Sequence, residues 1–246
     1  SFCYNENGDN MQRYFSKEKN GQEFQLSGDD LYHITRVMRM KDHEEIEVVY
    51  EEQVFLCEIR LGEDVKVVIK TILPKVEKRE QEIVLVIPLL KEQKMDYILQ
   101  KATELGVTKI IPVVMERSII RLEPSKENKK MERWTKICKE ASEQSKRVKI
   151  PIITEVKHFS DLACMEGVKF VCSTREKENN LKKFVEKHQN YGTIIIVVGP
   201  EGGLSEKEEK ELIKMGFECV SLGERIMRVE TVPLFVLSIL NFLNME

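Results

Sequence analysis

Apolar and polar positions follow two patterns in succession along the 246 residues. From Gln12 the chain reads as short alternating stretches at Arg13 to Ser16, Glu23 to Leu26, Ile46 to Tyr50, Val54 to Leu61 and Val65 to Ile72, broken by turn signals such as Leu61-Gly62-Glu63-Asp64. Alternation of this kind predicts antiparallel strands with one wet face, and a small barrel is their natural closure. Between them, Asp29 or Asp30 is placed to cap a short helix carrying Leu31, His33, Ile34, Val37 and Met38. Leu73 to Glu82 has no apolar face and reads as a linker.

Beyond the linker the period changes. Ile83 to Leu90 predicts a buried strand, and Glu92 to Leu105 a helix closed by Gly106. Strands follow at Lys109 to Met115, Lys169 to Thr174, Ile194 to Val198 and Cys219 to Leu222. Helices are expected at Asn128 to Lys146, Lys177 to His188, Ser205 to Met215 and from about Glu230. Strands alternating with helices predict a parallel sheet covered on both faces. The expected organisation is residues 1–10 without structure, with Met11 as the natural start, a β domain over 11–73, a linker over 74–82 and an α/β domain over 83–246.

Composition narrows the function classes. Charged residues make up 33% of the chain but leave a formal net charge of -3, so an RNA or other polyanion needs a local basic patch. Arg13, Arg36, Arg39 and Lys41 are the candidates. The six cysteines show no C-x-x-C pair and no histidine at metal-ligand spacing, so neither a metal nor a disulfide is expected, and a reduced, cytoplasmic setting is. The longest apolar run, Val232 to Leu243, is too short to span a bilayer. No membrane partner is expected.

The candidate chemistry gathers where three strands end: Cys172 to Glu176, Gly199-Pro200-Glu201-Gly202-Gly203, and Ser221 to Thr231. The glycine stretch joins a β-branched run to a helix opened by a Ser205/Glu208 capping box, which exposes backbone amides in a crevice at a strand's carboxyl end. It matches neither G-x-G-x-x-G nor a Walker loop. In the third stretch, Ile226 and Met227 are suited to wall an adenine.

Four motifs in order resemble the RsmE family of ribosomal small-subunit RNA uridine-N3 methyltransferases, of the SPOUT class. They are Gln100-Lys101-Ala102-Thr103-Glu104-Leu105-Gly106-Val107, Glu116-Arg117-Ser118, the glycine loop, and Leu222-Gly223-Glu224-Arg225-Ile226-Met227-Arg228-Val229-Glu230-Thr231. Met11-Gln12-Arg13-Tyr14-Phe15 and His33-Ile34-Thr35-Arg36-Val37-Met38-Arg39 extend the likeness to the β domain. Lys146 departs from it, standing where the family often has glycine in E-Q-S-G-R.

The resemblance implies a PUA-like RNA-binding barrel, then a SPOUT-type α/β domain with a C-terminal trefoil knot, a homodimer, and 16S ribosomal RNA as partner. General rules of chain topology would not suggest a knot. S-adenosylmethionine is the implied cofactor, with contacts expected at Ser173, Gly199, Glu201, Gly202, Gly203, Leu222, Gly223, Ile226, Met227 and Thr231. Arg228 is the expected charge-stabilising group. Glu230 or Glu201 would serve as a base if burial raised its pKa, whereas a capping role would leave Glu230 structural. Two alternatives stay open: an RNA-binding protein whose α/β half only dimerises, and an enzyme that holds a nucleotide phosphate on the glycine loop.

Overall fold

The computed structural model describes residues 11–75, 81–118, 120, 124–189 and 192–243. Residues 1–10 and part of the expected linker lie outside them. The chain divides into two units, Ser1–Lys78 with Ser142–Lys149, and Arg79–Ala141 with Ile150–Glu246. Nothing in the hydrophobic pattern foreshadows the return of 142–149 to the first unit.

The first unit holds β1 (Arg13–Phe15), β2 (Glu18–Asn20), β3 (Glu23–Gln25), α1 (Gly28–Tyr32), β4 (Glu45–Tyr50), β5 (Gln53–Arg60) and β6 (Lys66–Ile72). They form a six-stranded sheet in the order β1-β4-β5-β6-β3-β2. β1 pairs with β4 in parallel, against the expectation of an all-antiparallel set. β2 has no apolar residue and is exposed throughout, so its sequence carries no strand signal. Alternate residues Ile46, Val48, Cys57, Ile59 and Val67 point inward onto Tyr14, Phe24 and Ile34. The cap of α1 is Ser27, not Asp29 or Asp30: its hydroxyl accepts from Asp30 N, and Asp30 is buried one turn in. The helix then widens into a π-helical stretch at His33–Val37.

The second unit is a seven-stranded sheet paired in parallel throughout. Its strands are β7 (Glu82–Pro88), β8 (Lys109–Val114), β9 (Ile152–Ile153), β10 (Lys157–His158), β11 (Val168–Cys172), β12 (Thr193–Val197) and β13 (Glu218–Val220). The order is β10-β8-β7-β12-β11-β13, with β9 beside β8. β9 and β10, of two residues each, are too short to show a period. The helices are α2 (Glu92–Glu104), α3 (Pro124–Gln144), α4 (Leu181–Lys187), α5 (Glu206–Lys214) and α6 (Thr231–Leu243). Successive strand residues serve opposite faces. Leu85, Ile87, Ile194 and Ile196 pack with α2, α4 and α6 through Met95, Ile98, Phe184, Val236 and Leu240. Val84, Val86, Ile195 and Val197 pack with Leu212 of α5 and with Leu162. Both faces are therefore dry, which is why these strands read as continuous apolar runs.

Helices α2, α3 and α5 end alike. Val107 N donates to Ala102 O at 3.0 Å, Arg147 N to Ser142 O at 2.9 Å and Phe217 N to Leu212 O at 3.0 Å, with the left-handed residue before each donor being Gly106, Lys146 and Gly216. This is the Schellman ending, which favours glycine at that position. It explains both Gly106 in the first family motif and the departure at Lys146: the backbone there still asks for glycine.

Candidate active site

Chain order β7, β8 to one side and β12, β11, β13 to the other puts a topological switch beside β12, where ligands of parallel α/β sheets bind. The glycine loop leaves β12 at that edge. Gly203 N donates to Pro200 O at 2.8 Å, closing a tight turn, and Gly203 takes φ +70°, a left-handed conformation that glycine adopts without strain. At Gly199 a Cβ would lie 3.1 Å from Leu204 Cγ and 3.2 Å from Leu204 N, so a larger residue would have to push the turn aside. Ser205 then caps α5: its Oγ accepts from Glu208 N at 3.2 Å while Glu208 Oε2 accepts from Ser205 N at 2.9 Å.

The second motif turns out to brace this loop. Glu116 N donates to Glu208 Oε1 at 2.7 Å, and Arg117 Nη1 to Gly202 O at 2.9 Å. The capping box is therefore shared with a distant turn, a link that spacing alone could not reveal.

The loop forms one wall of a cavity of about 510 Å³, within the usual range for small-molecule sites. Cys172 to Arg175 after β11 form a second wall and Ile226 to Val229 a third, with Lys94 of α2 and Glu209 of α5 completing the lining. Of the expected cofactor contacts, Ser173, Gly199, Glu201, Gly202, Gly203, Ile226 and Met227 line the cavity. Leu222, Gly223 and Thr231 do not, and Thr231 belongs to an apolar patch on α6. Ile226 is 86% exposed, an apolar side chain with no protein to cover it.

The charges on the lining are mostly paired. Ser173 Oγ donates to Glu209 Oε1, Arg175 Nη1 donates to Glu209 Oε2, and Arg175 Nη2 donates to Leu204 O at 3.1 Å. Burial works against the charge on Glu209, but the bonds from Ser173 and Arg175 outweigh it and hold the carboxyl below its ordinary range. Lys94 Nζ lies 2.6 Å from Glu201 Oε1 and 3.2 Å from Glu230 Oε2. The second contact has ion-pair distance without hydrogen-bond geometry, and Glu230 Oε2 is buried with no hydrogen-bond partner. Arg228 lines the cavity, and its guanidinium has no hydrogen-bond partner among the described residues.

Glu230 does not line the cavity. Burial opposes its ionisation, yet its own backbone N–H, the Lys94 ammonium and the Arg228 charge together depress its pKa. The raised pKa on which a base role depended is thus not found. Sequence reading missed Lys94, whose only signal was a lysine in the first turn of a helix.

In the first unit, Arg36 is exposed in the last turn of the π-helical stretch, and Arg39 and Lys41 are exposed just after it. Arg13 is not available as a phosphate contact. Its Nε donates to Glu47 Oε2 at 2.8 Å and its Nη1 to the Lys146 carbonyl, because β1 lies directly beside β4.

The family model for the RNA methyltransferase domain matches residues 77–241, and that for the RNA methyltransferase PUA domain matches residues 26–70. The ribosomal RNA small subunit methyltransferase E of Bacillus subtilis is 36% identical over 248 aligned residues, covering 94% of this chain and 96% of that protein. That of Aquifex aeolicus is 33% identical, covering 94% and 99%. Among solved structures, the Neisseria gonorrhoeae ribosomal RNA small subunit methyltransferase E bound to S-adenosyl methionine superposes with TM-score 0.83 at 29% identity, covering 95% of this chain and 98% of that one. A Legionella pneumophila putative methyltransferase, also with bound cofactor, gives TM-score 0.86 at 26% identity over 94% and 97%. With both of its units matched, and with relatives aligned almost end to end, the chain belongs to the ribosomal RNA small subunit methyltransferase E family of RNA methyltransferases.

Proposed function

We propose that the protein methylates N3 of a uridine in small-subunit (16S) ribosomal RNA, using S-adenosylmethionine. The observation that carries this is the cavity at the switch point, where an apolar wall, a turn of glycines and an unpaired guanidinium face one space in a chain of this family. The residues fit the cofactor. Gly203, where a Cβ would meet no protein atom within 4 Å, lets backbone approach a ligand closely, and exposed Ile226 with Met227 offers a surface for an adenine ring.

When bound, S-adenosylmethionine supplies an electrophilic methyl group. The chain's own task is to hold the uracil in line with it and to stabilise the charge that appears on the ring oxygens as the N3 proton leaves. Arg228 is suited to this, being always cationic and offering fixed donors. Glu230 acts at one remove, through Lys94. The finer parts of the reading are a SPOUT-type knot formed by the segment from Ser221 to Thr231, RNA held by Arg36, Arg39 and Lys41, and a cytoplasmic homodimer. The knot is supported by the way Ser221 N donates to Asn179 O at 2.8 Å while Leu181 N donates to Ser221 O at 3.0 Å, stitching the segment into the preceding crossover. The dimer is supported by the apolar face of α6 at Leu234, Phe235, Ile239 and Phe242.

Two measurements test the proposal. Mass mapping of 16S RNA from cells lacking the protein should show one uridine losing a methyl group. Ile226→Asp, at a lining position that is 86% exposed, should weaken S-adenosylmethionine binding in calorimetry while the protein stays folded. An unchanged methylation map rejects the substrate, and unchanged binding rejects the site.

A further inference from the structure

We infer that Lys94 is a positioning residue of this site, its ammonium latching the glycine loop to the entry of α6 by bridging Glu201 and Glu230. The inference rests on the cavity being the cofactor site. Glu201 belongs to one cavity wall, Glu230 leads from another into α6, and Lys94, itself on the lining, is the contact that joins them.

Helix electrostatics make the position of this lysine informative. Lys94 lies in the first turn of α2, where the positive end of the helix dipole disfavours a cation and favours carboxylates. A lysine there is explained by what it holds. Its two partners supply two negative charges to its one positive charge, and they raise the pKa of the ammonium, with Glu201 contributing most. Without Lys94, Glu201 and Glu230 would share the end of α2 as like charges, and Glu230 would keep only the longer-range charge of Arg228 among the described residues. The loop would keep its bonds from Arg117 to Gly202 O and from Arg175 to Leu204 O, neither of which ties it to the entry of α6.

The pairing also shapes what remains for the substrate. Arg175 is neutralised by Glu209 and Lys94 by Glu201, so Arg228 is the cation left with donors to offer. Lys94 therefore acts on the reaction through the placement of two walls and makes no contact of its own with the reacting atoms.

The test compares Lys94→Met, Lys94→Arg, Glu201→Gln and the Lys94→Met/Glu201→Gln double variant. Hydrogen exchange at the Gly203 and Leu204 amides, read on the protein alone, should quicken in Lys94→Met while the melting temperature stays put. Calorimetry should show S-adenosylmethionine affinity falling roughly tenfold, with Lys94→Arg restoring most of it and the double variant no worse than Lys94→Met, since groups acting as one unit are not additive. Unchanged exchange in Lys94→Met overturns the latch, and so does a double variant whose losses add. A fall in melting temperature matching the loss of affinity overturns it as well, by making Lys94 a general structural contact. If the parent protein shows the exchange difference but binds no S-adenosylmethionine, the latch stands and the cofactor reading fails.

Discussion

Among the three-member ion clusters of the described residues, the one around Glu47 in the first unit and the one around Lys94 in the second are built in opposite senses. In the first unit one carboxylate, Glu47, meets two cations: Arg13 Nε at 2.8 Å and Lys146 Nζ at 2.9 Å, with Glu47 only 1% exposed. In the second, one cation, Lys94, 30% exposed, meets two carboxylates. The Glu47 cluster is closed by backbone as well, since Arg13 donates to the Lys146 carbonyl and Lys146 Nζ to the Met11 carbonyl. It sits between β1, β4 and the chain after α3, where nothing is left over for a ligand. The Lys94 cluster lines a cavity and leaves a carboxylate oxygen without a hydrogen bond. Saturation marks the cluster that holds a fold together; the unsatisfied oxygen marks the one beside a site.

The largest expected effect comes from breaking the closed cluster. Glu47→Ala strands two cations in a dry place, which costs about 3–5 kcal/mol when a buried pair loses one member. Hydrogen exchange at the β4 and β5 amides should report it. A loss under about 1 kcal/mol would mean that the cluster is solvated and that the contrast fails. Acid should act the same way. Burial works against the charge on Glu47, but Arg13 and Lys146 hold its pKa below the ordinary value. A carboxylate depressed in the folded state contributes its full stability above about pH 4.3, the unfolded value, and loses it as pH falls through the folded value. Protection of β4 should therefore decline in that acid window in the parent protein and lose this component in Glu47→Gln.

Arg228→Ala probes the other side of the contrast. An exposed guanidinium with no hydrogen bond among the described residues acts on the fold through its charge beside Glu230, so thermal stability should change little. If it stabilises charge that develops only during transfer, single-turnover methylation at saturating cofactor and RNA should slow by roughly a hundredfold to a thousandfold, as on removal of one oxyanion donor. Lysine at 228 should restore only part of the rate, lacking the planar fork. A normal rate would remove Arg228 from the chemistry.

What the sequence showed of each cluster follows from how local its parts are. The glycine loop, the capping box at Ser205 and the apolar runs of the central strands depend on neighbours a few residues apart, and they were legible. That the stretch from Ser221 to Thr231 reaches the cavity was legible, because a connection too polar for core and too apolar for a free loop stands out. Lys94 was not, because its partners are Glu201 and Glu230, more than a hundred residues away, and lysine in a helix is unremarkable. Arg13 was misread for the same reason: only the β1–β4 pairing and the return of 142–149 show that its Nε and Nη1 are already engaged. The capping of α1 by Ser27 was missed because Asp29 and Asp30 offered the same chemistry two residues on.

The smallest expected effect tests the backbone of the closed cluster. Lys146 is held at φ +60° in the Schellman ending of α3, where a side chain with a Cβ is strained and glycine is not. The lysine is kept there by its ammonium, which reaches Glu47. Lys146→Gly and Lys146→Ala both delete that ammonium, but only alanine keeps the strained Cβ. Alanine should therefore be the less stable of the two by about 1 kcal/mol. Gly106→Ala sets the scale, because Gly106 closes α2 in the same way at φ +90° and a Cβ there would meet nothing within 4 Å. Its loss should match the difference between the two Lys146 variants in urea unfolding. If Lys146→Ala and Lys146→Gly are equally stable while Gly106→Ala is destabilised, the turn at Lys146 relaxes on its own and the ion pair is not what holds a lysine in a glycine's place.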